Sequence, residues 1–209
     1  PTPAGARMTF AVRPLGLSSN KSWEYIQANG ASSNKPLYAP APVRQGDLLV
    51  CCFAHGGFGG SRSLPPGWTW MFPADSAPRH CYRIAPADSS SLEDIWPQTA
   101  TSSGYGMAAQ FRPVGGSAYL ANGSTNTAGT AVTLAAPDSP SILLCIGTNT
   151  YSSSWTTRTT PALTVWEDYT SSPMLYAGYA PIAASASTGS MQLLISGGQR
   201  ASYAIFGIS

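Results

Sequence analysis

Two short apolar runs constrain the fold of this chain more than any other feature. The first, Leu48-Leu49-Val50-Cys51-Cys52-Phe53-Ala54, follows the turn signal Gln45-Gly46-Asp47. The second is Ser141-Ile142-Leu143-Leu144-Cys145-Ile146. Short β-rich runs bounded by turn residues read as strands buried on both faces, or central in a sandwich. The segments C-terminal to the two runs also match. Pro65-Pro66-Gly67-Trp68-Thr69-Trp70 is echoed by Pro161-Ala162-Leu163-Thr164-Val165. Cys81-Tyr82-Arg83-Ile84-Ala85-Pro86 is echoed by Leu175-Tyr176-Ala177-Gly178-Tyr179-Ala180-Pro181, and Gly106–Phe111 by Ala201–Phe206. Pro66 and Pro161, Pro86 and Pro181, and Phe111 and Phe206 are each 95 residues apart; Cys51 and Cys145 are 94 apart.

A period this long is not that of a solenoid. It fits two copies of a unit of four or five short strands. The expected fold is therefore all-β: an antiparallel, jelly-roll-like β-sandwich over residues 36–209, built from pseudo-repeated halves at about 37–113 and 127–209. Each half alone would bury proportionally less surface, which favours one shared core over two small domains. Residues 1–35 read as an N-terminal arm or as edge strands. Met8–Val12 and Trp23–Gln27 are the strand candidates there, with a turn at Asn29-Gly30. The join between the halves reads as loop-rich, from Pro113–Gly116 to Asn122–Asn126, with one strand at Ala118–Leu120.

Composition narrows the function. Charged residues make up 10% of the 209 and the formal net charge is +2, against roughly 25% charged in an ordinary soluble domain. Such a chain has no strong field to attract nucleic acid or an anionic membrane. No apolar run approaches the ~20 residues that cross a bilayer as a helix. Pro1–Arg7 has no apolar stretch like that of a signal peptide, so the expectation is a chain that does not enter a secretion pathway, with a processed secretory protein as the alternative.

The residues that could carry chemistry are few. His55 and His80 are the only histidines, and a hydrolase would have to use one of them as its base. No nucleophile elbow accompanies them. Gly56-Gly57-Phe58-Gly59-Gly60 lacks the Lys-Ser/Thr ending of a phosphate loop and reads as a long hairpin loop. Asp47 and Asp138 sit at turns, where Asp bonds nearby backbone. Glu93-Asp94 and Glu167-Asp168 are the adjacent acidic pairs, and no Asp-rich loop suits calcium. Cys51, Cys52, Cys81 and Cys145 match no zinc spacing. Adjacent strand residues face opposite ways, so Cys51 and Cys52 cannot share a face. The four read as buried free thiols, with a disulfide to Cys81 as the alternative. No catalytic residue, cofactor or metal ligand is assigned, and the chain reads as non-enzymatic.

Among the aromatics Trp68, Trp70, Trp96, Trp155 and Trp166, Trp68 reads as core because its counterpart is Leu163. Trp155, inside Tyr151–Thr157, is the ring best placed to stack on a sugar. Asn20-Lys21-Ser22 and Asn122-Gly123-Ser124 match the N-glycosylation pattern, which a Ser-rich chain produces by chance.

Four segments carry a resemblance. Gly46-Asp47-Leu48-Leu49-Val50, Pro66-Gly67-Trp68-Thr69, Tyr82-Arg83-Ile84-Ala85 and Ala109-Gln110-Phe111-Arg112 resemble a pattern of tailed-phage and prophage structural proteins. The likeness covers about residues 37–209; the double cysteine and the N-terminal section depart from it. It implies a virion component assembled in the host cytoplasm, such as a capsid decoration or tail-associated protein. Its partners would be major capsid or tail subunits and further copies of itself. The alternative is a carbohydrate- or receptor-binding module, of a tail fibre or of a secreted lectin-like domain, with a host glycan as its ligand.

Overall fold

The run after Asp47 is the middle strand of a five-stranded antiparallel sheet, and its echo is the middle strand of a second. The computed structural model describes residues 21–32, 37–55, 64–72, 80–91, 104–127, 130–149, 155–158, 162–169, 174–195 and 200–209. The first sheet holds β1 (Ser22–Ser32), β2 (Leu48–His55), β3 (Thr69–Trp70), β4 (Cys81–Ile84) and β5 (Gly104–Val114) in the order β1-β5-β2-β4-β3. The second holds β6 (Ala118–Thr127), β7 (Ser141–Asn149), β9 (Thr164–Tyr169), β10 (Met174–Ile182) and β12 (Arg200–Ile208) in the order β6-β12-β7-β10-β9. A two-stranded ribbon pairs β8 (Trp155–Arg158) with β11 (Gln192–Ile195). The described residues contain no helix.

The two orders are the same order. Each half of the chain builds one sheet, and register repeats along with order. Tyr25 faces Phe111 and Gln27 faces Gln110, with Ile26 bulged between them. Leu120 faces Phe206 and Asn122 faces Ile205, with Ala121 bulged between them. The bulge therefore recurs 95 residues on. A bulge re-aims a strand and is a designed feature, so its repetition is stronger evidence of duplication than matched prolines. Cys51 faces Ala108 just as Cys145 faces Tyr203.

One sequence landmark is out of step. Tyr82 faces Val50, and its counterpart facing Leu144 is Tyr179, 97 residues on. Pro86 and Pro181 are thus not structural equivalents. Two further expectations shift. Asn29-Gly30 does not turn the chain but continues β1, and Asn122–Asn126 is not loop but part of β6. β1 and β6 are equivalent outer strands of the two sheets.

The apolar runs are continuous because both faces of each middle strand are covered. Side chains alternate along a strand. Leu48, Val50, Cys52 and Ala54 enter the core between the sheets, where they meet Ile142, Leu144 and Ile146. Leu49, Cys51 and Phe53 point the other way, under Leu37, Ala39 and Trp68. Leu143 and Cys145 do the same in the second sheet, under Val132, Leu134, Met191 and Leu193. A loop segment rides on each outer face. Val43 bridges Ser89 on the first, and Val132 bridges Met191 on the second.

Aromatic rings join the sheets reciprocally. Tyr82 of the first meets Phe206 of the second edge-on, with centroids 5.2 Å apart. Tyr179 of the second meets Phe111 of the first at 5.3 Å. Edge-to-face pairs at such distances are favourable beyond the area they bury. Phe111 and Phe206 are both fully buried. Phe111→Ala and Phe206→Ala are each expected to cost about 3–5 kcal/mol, by closely similar amounts, in urea unfolding. A variant near wild-type stability beside a crippled partner would contradict the equivalence of the halves.

Candidate functional site

A polar residue inside an apolar strand marks the most unusual site. Gln110 lies on the outer face of β5 and is fully buried. Its Nε2 donates to Asp47 Oδ2 at 2.6 Å and to the Pro42 carbonyl at 3.2 Å. Its Oε1 accepts from Gln27 Nε2 at 2.8 Å, and that amide also donates to the Ala41 carbonyl.

Asp47 is 1% exposed and is held by four hydrogen bonds from three residues. Besides Gln110, it accepts from Arg112 Nε (Oδ1, 2.8 Å), from Arg112 Nη2 (Oδ2, 2.9 Å) and from the Arg44 backbone N–H (Oδ2, 2.8 Å). The two-pronged Arg–carboxylate pair is the strong form of this contact. Burial alone would raise the Asp47 pKa. The hydrogen bonds from Arg112, Arg44 and Gln110 outweigh it, and the carboxyl is held below its ordinary value. Gly46, at φ 87°, allows the tight turn in which the Asp47 N–H returns to the Arg44 carbonyl.

This cluster fastens the segment 41–44 onto the outer face of the first sheet. There the segment walls an open groove of about 660 Å³, lined by Gln27, Val43, Arg44, Asp88, Ser89 and Arg112 among others. Asp88 accepts from the Gln45 N–H at 2.7 Å. The groove's lining is mixed in charge and rich in hydroxyl and amide groups.

Among the described residues the second half has no such cluster at the equivalent positions. Ile205 stands where Gln110 does, and Asn122 where Gln27 does. Gly207 replaces Arg112 and faces Tyr119, which replaces Glu24. A Cβ on Gly207 would come within 2.8 Å of the Tyr119 ring. One copy of the unit carries a charged staple, and the other fills the same place with an aromatic ring.

His80 is completely buried. Its Nδ1 accepts from the Phe53 N–H at 3.4 Å, which leaves the proton on Nε2, and Nε2 has no partner among the described residues. Burial lowers its pKa to about 3. A neutral imidazole sealed in the core beside the Phe72 ring is a packing element. His55 ends β2, and the Gly56–Gly60 loop lies outside the described residues. So do Asp75, Glu93, Asp94, Trp96, Asn20 and the candidate strand Met8–Val12.

Trp68 is buried and Trp70 half-buried against the outer core of the first sheet, with Leu163 in the matching place on the second. Trp155 opens β8, Trp166 lies in β9, and Glu167 and Asp168 face Ala177 and Tyr176 across β9 and β10. Asp138 accepts from Ser185 Oγ at 2.7 Å. All four cysteines are buried free thiols. Burial pushes the Cys51, Cys52 and Cys145 thiols up, away from the reactive thiolate. Among the described residues no three His, Cys, Asp or Glu side chains gather as a metal site would require. The chain matches no protein-family model, no curated protein and no solved structure.

Sequence reasoning reached Asp47 as a turn residue but missed Gln110 and Arg112. The signal for them was Gln110 itself, a polar break within Met107-Ala108-Ala109-Gln110-Phe111.

Asp47→Ala leaves the buried Gln110 amide and the half-buried Arg112 without their carboxylate and is expected to cost about 1–3 kcal/mol. In a double-mutant cycle, Asp47→Ala with Arg112→Met should cost clearly less than the two single changes added together; strict additivity would dissolve the staple. Acid should act through His80. Its folded pKa lies below its ordinary 6.5, so the unfolded chain binds more protons and stability falls as pH falls from 6.5 toward 3. The loss is about 2 kcal/mol by pH 5. His80→Leu should flatten this part of the stability–pH curve, leaving the loss below about pH 4 that Asp47, its carboxyl held below its ordinary value, contributes. An unchanged slope between pH 6.5 and 4.5 would show that His80 is not the cause.

Proposed function

We propose that this protein is a non-enzymatic structural subunit that works through protein–protein contacts. Its class is that of capsid decoration or tail-associated proteins of tailed bacteriophages. One observation carries the reading. The four segments behind the resemblance meet in space as framework. Asp47 of the first is bound by Gln110 and Arg112 of the fourth. Gly67 of the second lies against Arg83 of the third, where a Cβ would be 3.5 Å from Arg83 Nε. Thr69 of the second faces Tyr82 of the third across β3 and β4.

The shared motif is thus a set of joints and not a set of reactive groups. The acid with the richest surroundings already has four hydrogen bonds. The buried histidine is neutral, and burial disfavours the thiolates of Cys51, Cys52 and Cys145. Such a framework presents loops and outer strands to partners, and a subunit of this kind assembles with symmetry.

A second reading draws on the groove. Gln27, Arg44, Asp88, Ser89 and Arg112 offer donors and acceptors suited to sugar hydroxyls. Under it the chain is a glycan- or receptor-binding module.

Incubating the protein with capsids and tails assembled without it, then imaging the particles, tests the first reading. Ordered occupancy at symmetry-related positions, together with self-association in native mass measurement, is the expected result. A monomer that stays off both particles would refute it. A glycan array separates the second reading: binding lost in Arg44→Ala would favour it over the first.

A further inference from the structure

The cysteines are unevenly placed. Cys51 of β2 lies directly opposite Cys81 of β4, the last pair in their register. Both side chains enter the same cluster on the outer face of the first sheet, with Trp68, Phe53 and Ala108 around them. Cys52 faces the opposite way, into the core between the sheets. Cys145 sits in the second sheet between Gly178 and Tyr203, with no sulfur opposite it. Residues directly opposed on antiparallel strands have Cα atoms roughly 4.5–5.5 Å apart. A disulfide spans Cα separations of about 4.4–6.8 Å. The backbone at 51 and 81 is thus already placed for a bond, and only there.

We propose that Cys51 and Cys81 are a redox-sensitive modification site that forms a reversible cross-strand disulfide. The oxidant class is a small-molecule disulfide, RSSR. The Cys81 thiolate attacks one sulfur of RSSR, whose S–S bond breaks and releases RS⁻. This leaves Cys81 in a mixed disulfide. The Cys51 thiolate then attacks the Cys81 sulfur, the mixed S–S bond breaks, and a second RS⁻ leaves. The two thiol protons end on the two RS⁻, so that two cysteines and RSSR give one protein disulfide and two RSH.

The fold sets the rate. Both sulfurs are buried, and burial disfavours the Cys51 thiolate. The way in lies at the β4 side of the sheet. Among the described residues β4 has only the two-residue β3 beyond it in the sheet, and strands near a sheet edge open at lower cost than central ones. Oxidation of the closed fold is slow, and opening of β3 and β4 accelerates it. Once formed, the bond encloses residues 51–81 in a covalent ring and ties β4 to the middle strand. A thiol reductant reverses it.

The test uses the whole protein and oxidised glutathione. Native protein is incubated with and without urea below its unfolding transition, and a third sample is refolded from full denaturation in a glutathione redox buffer. Free thiols are alkylated, intact mass is measured and disulfides are mapped on peptides. The expected result is a loss of two of the four thiols, a single link between Cys51 and Cys81, faster formation in urea and a higher melting temperature once oxidised. Cys81→Ala should keep its three thiols free, whereas Cys145→Ala should still form the link. The wild-type map stands even where a variant fails to fold. A link through Cys52 or Cys145, or four free thiols after refolding in the redox buffer, would overturn the proposal.

Discussion

The structure depends on the core shared between its two sheets. Each half of the chain makes a complete sheet, but neither sheet supplies its own inner cover. Phe111 needs Tyr179, and Phe206 needs Tyr82, each from across the interface. The middle strands put Leu48 and Val50 against Ile142 and Leu144 in the same core. Burying apolar area is the main favourable term in folding, and here that area is divided between two chain segments about 95 residues apart. The reciprocal ring contacts leave the halves little freedom to move independently. The outer clusters are built within each sheet separately.

Within that common plan the halves have diverged at one place. The first uses Gln110, Asp47 and Arg112 to pin the segment 41–44 to its outer face; the second uses Ile205, Ser141, Gly207 and the Tyr119 ring in the equivalent positions. A largely buried ion pair adds little net stability, and the second half does without one. What the polar version adds is position. It fixes which backbone atoms of Ala41, Pro42 and Arg44 meet the sheet, and so shapes the groove beside them. The difference between the copies therefore draws attention to this outer face of the first sheet.

The fold was legible in the sequence because its main signal is physical and repeated. A run such as Leu48–Ala54 can be apolar at every position only if both of its faces are covered, and its recurrence at Ser141–Ile146 announced two such strands. The matched Phe111 and Phe206 gave the correct offset because both sit at the centre of the core. Pro86 and Pro181 misled because Pro86 lies beyond the end of β4, whereas Pro181 lies inside β10 opposite Ile142. Asn29-Gly30 and Asn122–Ser124 look like turns, yet tertiary pairing with β5 and β12 holds them extended, an ordinary override of local preference. The staple was less legible. Nothing in the spacing of Asp47 and Arg112 brings them together; only the register of β2 on β5 does so. Gln110 was the one visible hint.

The claim that the two halves are parts of a single core is tested most directly by separating them. Residues 21–114 and 118–209, produced as two polypeptides, should each lack a cooperative unfolding transition, because each would expose the inner face of its sheet. Mixed in equal amounts they should recover one cooperative transition and the near-ultraviolet circular dichroism of packed Tyr82 and Tyr179. Two fragments that each unfold cooperatively alone, with no change on mixing, would contradict the account.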